Sequence, residues 1–156
     1  MGALLDLLRQ RLATPDCDVS LAQGMLVVHL PSSRLLETAR LLKTEFHFDL
    51  FLDVTAVDWL PRQPRFEVVY HFYSTRDFVR IRLKTTVTES DPTVDSLVSL
   101  HGSAGYMERE CHDMYGIVFR GNPDLRPILL YEGFVGHPLR KDYPKLKEQP
   151  LVPYRK

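Results

Sequence analysis

Glu108 and His112 stand four positions apart in the run GYMERECHDMYGI, a spacing that sets both side chains on one face of a helix. A carboxylate and an imidazole so placed could ligate a metal or exchange a proton. A catalytic zinc helix needs two histidines and a third ligand, however, and this run has one histidine and no matching second motif. The expectation is therefore an ordinary i,i+4 contact on an exposed flank. Cys111 adjoins His112, but consecutive helical residues point about 100° apart, which argues against a Cys–His couple. No GxSxG, GxGxxG or GxxxxGKS/T pattern occurs, so serine-nucleophile and phosphate-cradle chemistries lack their usual signals.

The same helix carries Glu110 and Asp113 three apart, like charges that repel by a few tenths of a kcal/mol on an isolated helix. A cation nearby would relieve them, and Arg126, Arg140, Lys141 or a partner's residue could supply it. Met107, Cys111 and Met114 fall on one stripe, read as core. Beyond Gly116 the character changes: six of the 11 prolines lie between Gly121 and Lys156, with little periodicity. GFVGHPLRKDYP packs two glycines, two prolines, two aromatics and the triplet Arg140-Lys141-Asp142 into one short stretch. A stiff, irregular segment loses little entropy on docking, so it suits an interface. It equally suits a loop packed on its own domain, and physics alone leaves both open.

These residues must be positioned by one ordinary domain, since 156 residues bury a single core and fall short of two. Lys plus Arg and Asp plus Glu both total 20, so no net charge gathers nucleic acid or anionic lipid. Zero net charge also fits a chain that lives within a larger assembly. Cys17 and Cys111 are the only cysteines, too few for a four-cysteine iron–sulfur cluster or structural zinc, and reduced thiols are expected. No apolar run approaches the roughly 18 to 20 residues of a membrane span. At the N-terminus, Leu4, Leu5, Leu8 and Leu12 recur at helical spacing around Asp6, which reads as an amphipathic helix ending near Thr14-Pro15 and not as a targeting segment.

Apolar alternation on either side of Ala22-Gln23-Gly24 predicts a hairpin. Pro31-Ser32-Ser33 predicts a helix start with a serine cap, followed by the stripe Leu35, Leu36, Ala39, Leu42 and Phe46. DLFLDVTAVDW, RFEVVYHFYS and DFVRIRLKTTV then read as strands joined by short turns, hence antiparallel neighbours. In the last of them Phe78, Arg80, Arg82 and Lys84 form a basic, solvated face opposite Val79, Ile81 and Leu83. Ser90-Asp91-Pro92 is read as ending the sheet and opening a helical region that includes Leu97, Val98 and Leu100. The division expected is an α+β core domain over 1–120 and an extended Pro/Gly-rich docking segment over 121–156 with no core of its own.

The run ERECHDMYGIVFRGNPDLRPILL resembles the signature of the 30 kDa subunit family of respiratory complex I, the NADH:quinone oxidoreductase. GFVGHPLRKDYP is similar to the segment that closes that family's domain, and FLDVTAVDW, FEVVYHFYS and VRIRLKT resemble its strands. Tyr106-Met107 and Asn122 depart from the family's usual residues. The resemblance implies a two-layer α+β domain, its mixed, mainly antiparallel sheet covered by helices on one face, plus an extended C-terminal strap. It also implies a non-catalytic structural subunit of the peripheral arm, on the cytoplasmic face of the bacterial inner membrane. The large quinone-site subunit and the iron–sulfur subunits would be its partners. FMN and iron–sulfur clusters would reside in those partners, with no cofactor and no metal on this chain. Glu108, Arg109, Glu110, Asp113, Arg126, Arg140, Lys141 and Asp142 would form salt bridges within the domain and across the interface, with His137, Pro138 and Leu139 completing the docking motif.

Three rival readings stand beside it. One is a homologous subunit of a membrane-bound hydrogenase or photosynthetic NAD(P)H dehydrogenase-like complex. Another is a small enzyme using Glu108, His112 or Cys111. The last is a nucleic-acid module using Arg80, Arg82 and Lys84.

Overall fold

Side-chain alternation along three nine-residue strands decides the architecture. The structure, a computed structural model, describes residues 2–146. Strands β3 (Leu50–Asp58), β4 (Phe66–Ser74) and β5 (Val79–Val87) pair antiparallel, with Tyr70 opposite both Val54 and Leu83. Phe66, Val68, Tyr70 and Phe72 therefore share one face with Ala56, Ile81 and Leu83, and all are buried. The hairpin β1 (Asp18–Ala22) and β2 (Met25–His29) turns at Gln23-Gly24, and β2 joins β5 in parallel, giving the order β1-β2-β5-β4-β3. That single parallel junction makes the sheet mixed.

Three helices meet the apolar face. Leu8 and Leu12 of α1 (Gly2–Leu12), Leu35, Ala39 and Leu42 of α2 (Leu35–Thr44), and Ala104 and Cys111 of α3 (Ala104–Tyr115) join the inward strand residues in one cluster. Each large apolar side chain so buried contributes about 1.5–3 kcal/mol, which is why the layers hold. The two-layer α+β frame is the one expected.

Several local expectations yield to tertiary context. Ser32 and Ser33 lie in a short 3-10 turn, no side chain caps α2, and Phe46 is buried just beyond the helix end. Phe78 sits in the β4–β5 turn with a positive φ, outside the strand. The basic face is paired more than solvated: Lys84 bonds Glu67 at 2.9 Å and Arg82 donates to His71 at 2.7 Å. Val27 and Val69, partners of Arg82 and Lys84 in the ladder, are buried beside those aliphatic stems. The region after Pro92 opens as a strand and not a helix. There β6 (Thr93–Asp95) runs parallel to β7 (Val118–Arg120), burying Val94 against Phe119 in a pairing between residues too distant in sequence for local periodicity to reveal.

Candidate functional site

Arg65 is the hinge of the site. It immediately precedes β4, and its carbonyl accepts from the Trp59 amide at 2.8 Å, closing the β3–β4 loop so that Asp58 and Arg65 face each other. The arginine is 1% exposed, and its five N–H donors are all engaged. Asp58 takes Nε at 3.0 Å and Nη2 at 2.7 Å, Asp142 takes Nη1 at 3.0 Å and Nη2 at 2.7 Å, and Glu89 takes Nη1 at 2.6 Å. Asp58 also accepts the amides of Leu60 at 2.9 Å and Lys141 at 2.8 Å. Burial pushes the Asp58 carboxyl upward, but the Arg65 guanidinium and those amides outweigh it and hold the acid well below the usual carboxylate range. Asp142 is held low chiefly by its hydrogen bonds to Arg65.

The segment 137–142 thus lies against its own domain, and it does a second job there. A helix leaves its last four carbonyls without intrahelical partners. At the end of α3 the His112 carbonyl accepts the Gly116 amide at 2.7 Å, and the Asp113 carbonyl accepts Nδ1 of His137 at 3.0 Å. The Met114 carbonyl accepts the Leu139 amide at 3.1 Å, and the Tyr115 carbonyl accepts Nε of Arg140 at 2.6 Å. HPLR is therefore a helix cap supplied from two dozen residues downstream, with the Arg140 cation at the negative end of the helix dipole. Arg140 and Arg65 also stand at 5.0 and 4.9 Å from the Phe66 ring centroid. Gly116 has φ +74, and a Cβ there would lie 2.5 Å from Nε2 of His137 and 2.6 Å from Nη2 of Arg140.

Asp113 binds the other half of the strap. Its Oδ2 accepts the amides of Ile128, Leu129 and Leu130 at 3.0, 2.9 and 3.0 Å. Burial raises this carboxyl, yet the three amides prevail and lower it. Arg109 reaches the carbonyls of Arg126 and Pro127 at 2.9 Å each and lies 3.7 Å from Asp124, while Arg126 pairs with Asp124 at 2.9 Å. Glu108 is buried under Ser96 Oγ, the Leu97 amide and the Asn122 amide group at 2.7, 2.7 and 2.8 Å, and its pKa is raised because burial exceeds what those donors return.

The expected Glu108–His112 contact does not form: Glu108 turns inward toward the loop after β6, and Nδ1 of His112 donates to the Ile117 carbonyl at 2.8 Å. Nor does a cation relieve Glu110 and Asp113. Asp113 is stabilised as the anion by backbone amides, Arg126 and Arg140 are occupied elsewhere, Lys141 contributes its amide to Asp58, and Glu110 is exposed without an ion pair among the described residues. Met107 and Met114 are half-buried and Cys111 alone of that stripe is buried, its thiol pushed upward by burial. Among the described residues no group of three or more His, Cys, Asp or Glu side chains could hold a metal ion, and no helix is long and apolar enough to cross a membrane.

Sequence reasoning passed over Arg65, Asp58 and Glu89. The available signal was an acid and a base flanking the loop Trp59–Pro64, a pairing that a hairpin would close. Of the proposed docking segment, residues 147–156 lie outside the described residues. Within 121–146 no helix or strand is present.

Fold and site together define a two-layer α+β domain whose charged signature clasps its own C-terminal strap. Residues 28–149 match the family described as "Respiratory-chain NADH dehydrogenase, 30 Kd subunit", and the chain belongs to that family. It is 40% identical over 148 residues to the homologous NADH-quinone oxidoreductase subunit of Geotalea uraniireducens (strain Rf4), covering 95% of this chain and 90% of that one. It is 45% identical over 140 residues to the equivalent NADH-quinone oxidoreductase subunit of Roseiflexus sp. (strain RS-1), covering 87% and 80%. Among solved structures it is similar to the trypsin-resistant fragment of Nqo5, with TM-score 0.69, 33% identity, and coverage of 80% of this chain and 98% of that one. The fold also recurs in a chain of the membrane-bound sulfane sulfur reductase, an archaeal respiratory membrane complex, with TM-score 0.81 and 23% identity over 93% of this chain and 86% of that one.

Proposed function

We propose that this chain is a non-catalytic structural subunit of a proton-translocating NADH:quinone oxidoreductase, bracing the quinone-site and iron–sulfur subunits in the peripheral arm at the cytoplasmic face of the membrane. One observation carries the reading. Arg109, Asp113, Arg140 and Asp142 are engaged in fixing the strap, while Glu110 and the strap's apolar side chains are left at the surface: Ile128 is 38% exposed, Leu129 61%, Val135 65% and Leu139 52%. Apolar side chains on a backbone already immobilised lose little entropy on docking and make effective anchors. Flavin and iron–sulfur clusters belong, on this reading, to the neighbouring subunits, for which the family relationship is the support.

The test is assembly. Leu129→Asp and Glu110→Lys alter exposed positions and should leave the isolated chain folded by circular dichroism and thermal melting. Both should lower the amount of assembled complex recovered and its NADH:quinone activity in proportion. Full assembly and full activity in both variants would refute the bracing role. Turnover by the purified chain alone would refute its non-catalytic character. A pull-down of the assembled complex identifies the large subunit, and a nickel–iron partner in place of a quinone-site one would assign the chain to a hydrogenase-type complex.

A further inference from the structure

Asp142 follows Lys141 directly. The Asp142 carboxylate, half exposed, is taken by Arg65 through two hydrogen bonds, and the adjacent Lys141 ammonium is left at the surface without a carboxylate partner among the described residues. The Lys141 amide is meanwhile pinned to Asp58, so the cation stands on a fixed backbone. Lys145 is likewise exposed and unpaired among the described residues, and it lines the same groove on the strap as Lys141. Pro138, Leu139, Arg140, Tyr143 and Pro144 complete the lining, with Nε of Arg140 already committed to the Tyr115 carbonyl. Tyr143 is set by a stacked contact with Phe134, ring centroids 6.0 Å apart, and by its approach to Gly136, where an added Cβ would lie 2.8 Å from its ring.

We propose that this groove, with Lys141 and Lys145 as its cations and Leu139 and Tyr143 as its apolar wall, receives an acidic segment of a neighbouring protein subunit. The inference rests on the assembly reading above and names the chemistry of one contact within it. Charge complementarity selects the occupant: the ammonium of Lys141, on a backbone pinned to Asp58, and that of Lys145 beside it match carboxylates, and the apolar wall matches the side chains between them. A chain with zero net charge has no long-range field for a membrane surface or a nucleic acid, which makes a short protein segment the better fit.

Zero-length carbodiimide coupling in the purified, assembled complex tests this directly, because it joins an amine to a carboxylate only where the two are in contact. Mass spectrometry should find Lys141 or Lys145 linked to an aspartate or glutamate of another subunit. In Lys141→Glu/Lys145→Glu the link should be lost, and retention of the chain after a salt wash should fall about tenfold. If the chain assembles normally yet both lysines acetylate as fast in the complex as in the isolated chain, this inference alone is overturned. If the chain is absent from the complex, both it and the assembly reading fall. Binding of the isolated chain to phosphatidylglycerol vesicles that is abolished by the double variant would assign the lysines to a lipid surface and overturn the proposal.

Discussion

Arg65 and Asp142, 77 positions apart in the chain, are joined by two parallel hydrogen bonds of 2.7 and 3.0 Å. The pairing is the fork-to-fork geometry that only a guanidinium offers a carboxylate. Because Arg65 also satisfies Asp58 beneath it, the strap is docked on a charge that the fold has already buried and compensated.

Replacing Arg65 by Ala should therefore lower the unfolding free energy by about 3–5 kcal/mol, since it leaves the buried Asp58 without its cation. Arg65→Lys keeps the charge but loses the planar fork, and should recover only part of that loss. Urea denaturation measures both, and hydrogen exchange at Leu139–Tyr143 should accelerate in each. An Arg65→Ala midpoint equal to that of the unaltered chain would show that this pair does not secure the strap.

Asp113 should behave as an anion site filled from within. Asp113→Ala strips three strap amides of their acceptor and should cost about 2–3 kcal/mol, whereas Asp113→Asn retains an oxygen and should cost less. The folded pKa lies below the unfolded value of about 3.9, so the stabilisation is whole above that value and is lost as the pH falls through the folded one. In Asp113→Asn the acid limb of the stability–pH curve should be shallower than in the unaltered chain.

Gly116 and Gly121 offer a matched pair. Both have positive φ, +74 and +94, but a Cβ at Gly116 meets His137 and Arg140 whereas one at Gly121 meets nothing within 4 Å. Alanine at either position bears the left-handed penalty of about 1–2 kcal/mol, and only Gly116→Ala should cost more by displacing the cap. Thermal melting of the two variants side by side reads the difference, and equal shifts would mean that His137 and Arg140 yield without loss.

His101 is buried between Phe51 and Phe72, with ring centroids 5.6 and 5.7 Å away, and Nε2 has no hydrogen-bond partner among the described residues. Burial, with Lys43 next in weight, pushes its pKa down to about 4. A histidine kept neutral in the fold binds fewer protons there than when unfolded. Its contribution is thus complete above an unfolded value of about 6.5 and is lost as the pH falls toward 4, by about 3 kcal/mol. His101→Phe should flatten stability between those two values in denaturant titrations at stepped pH.

Local pattern made much of this protein readable. The hairpin at Gln23-Gly24, the three long strands and the α3 segment follow from periodicity and turn residues, because a neighbour one or two pleats away already decides which face is buried. The ERE and HPLRKDYP runs stood out for the same reason: charge, glycine and proline in a few positions mark a backbone that must do something unusual. What they do could not be read. Glu108 looked like a surface partner of His112 and is buried under Asn122, a residue on a different loop.

The sequence by itself determined the α+β frame, the neutral surface and the presence of a stiff, charged strap, all properties of residues and their near neighbours. Only the tertiary structure decided that Arg65 receives Asp142, that HPLR closes the end of α3, and that Lys141 is left without a carboxylate partner among the described residues. The physical reason is distance along the chain. Contacts across 24 to 77 residues depend on which elements the hydrophobic core has already brought together, and no local spacing records that.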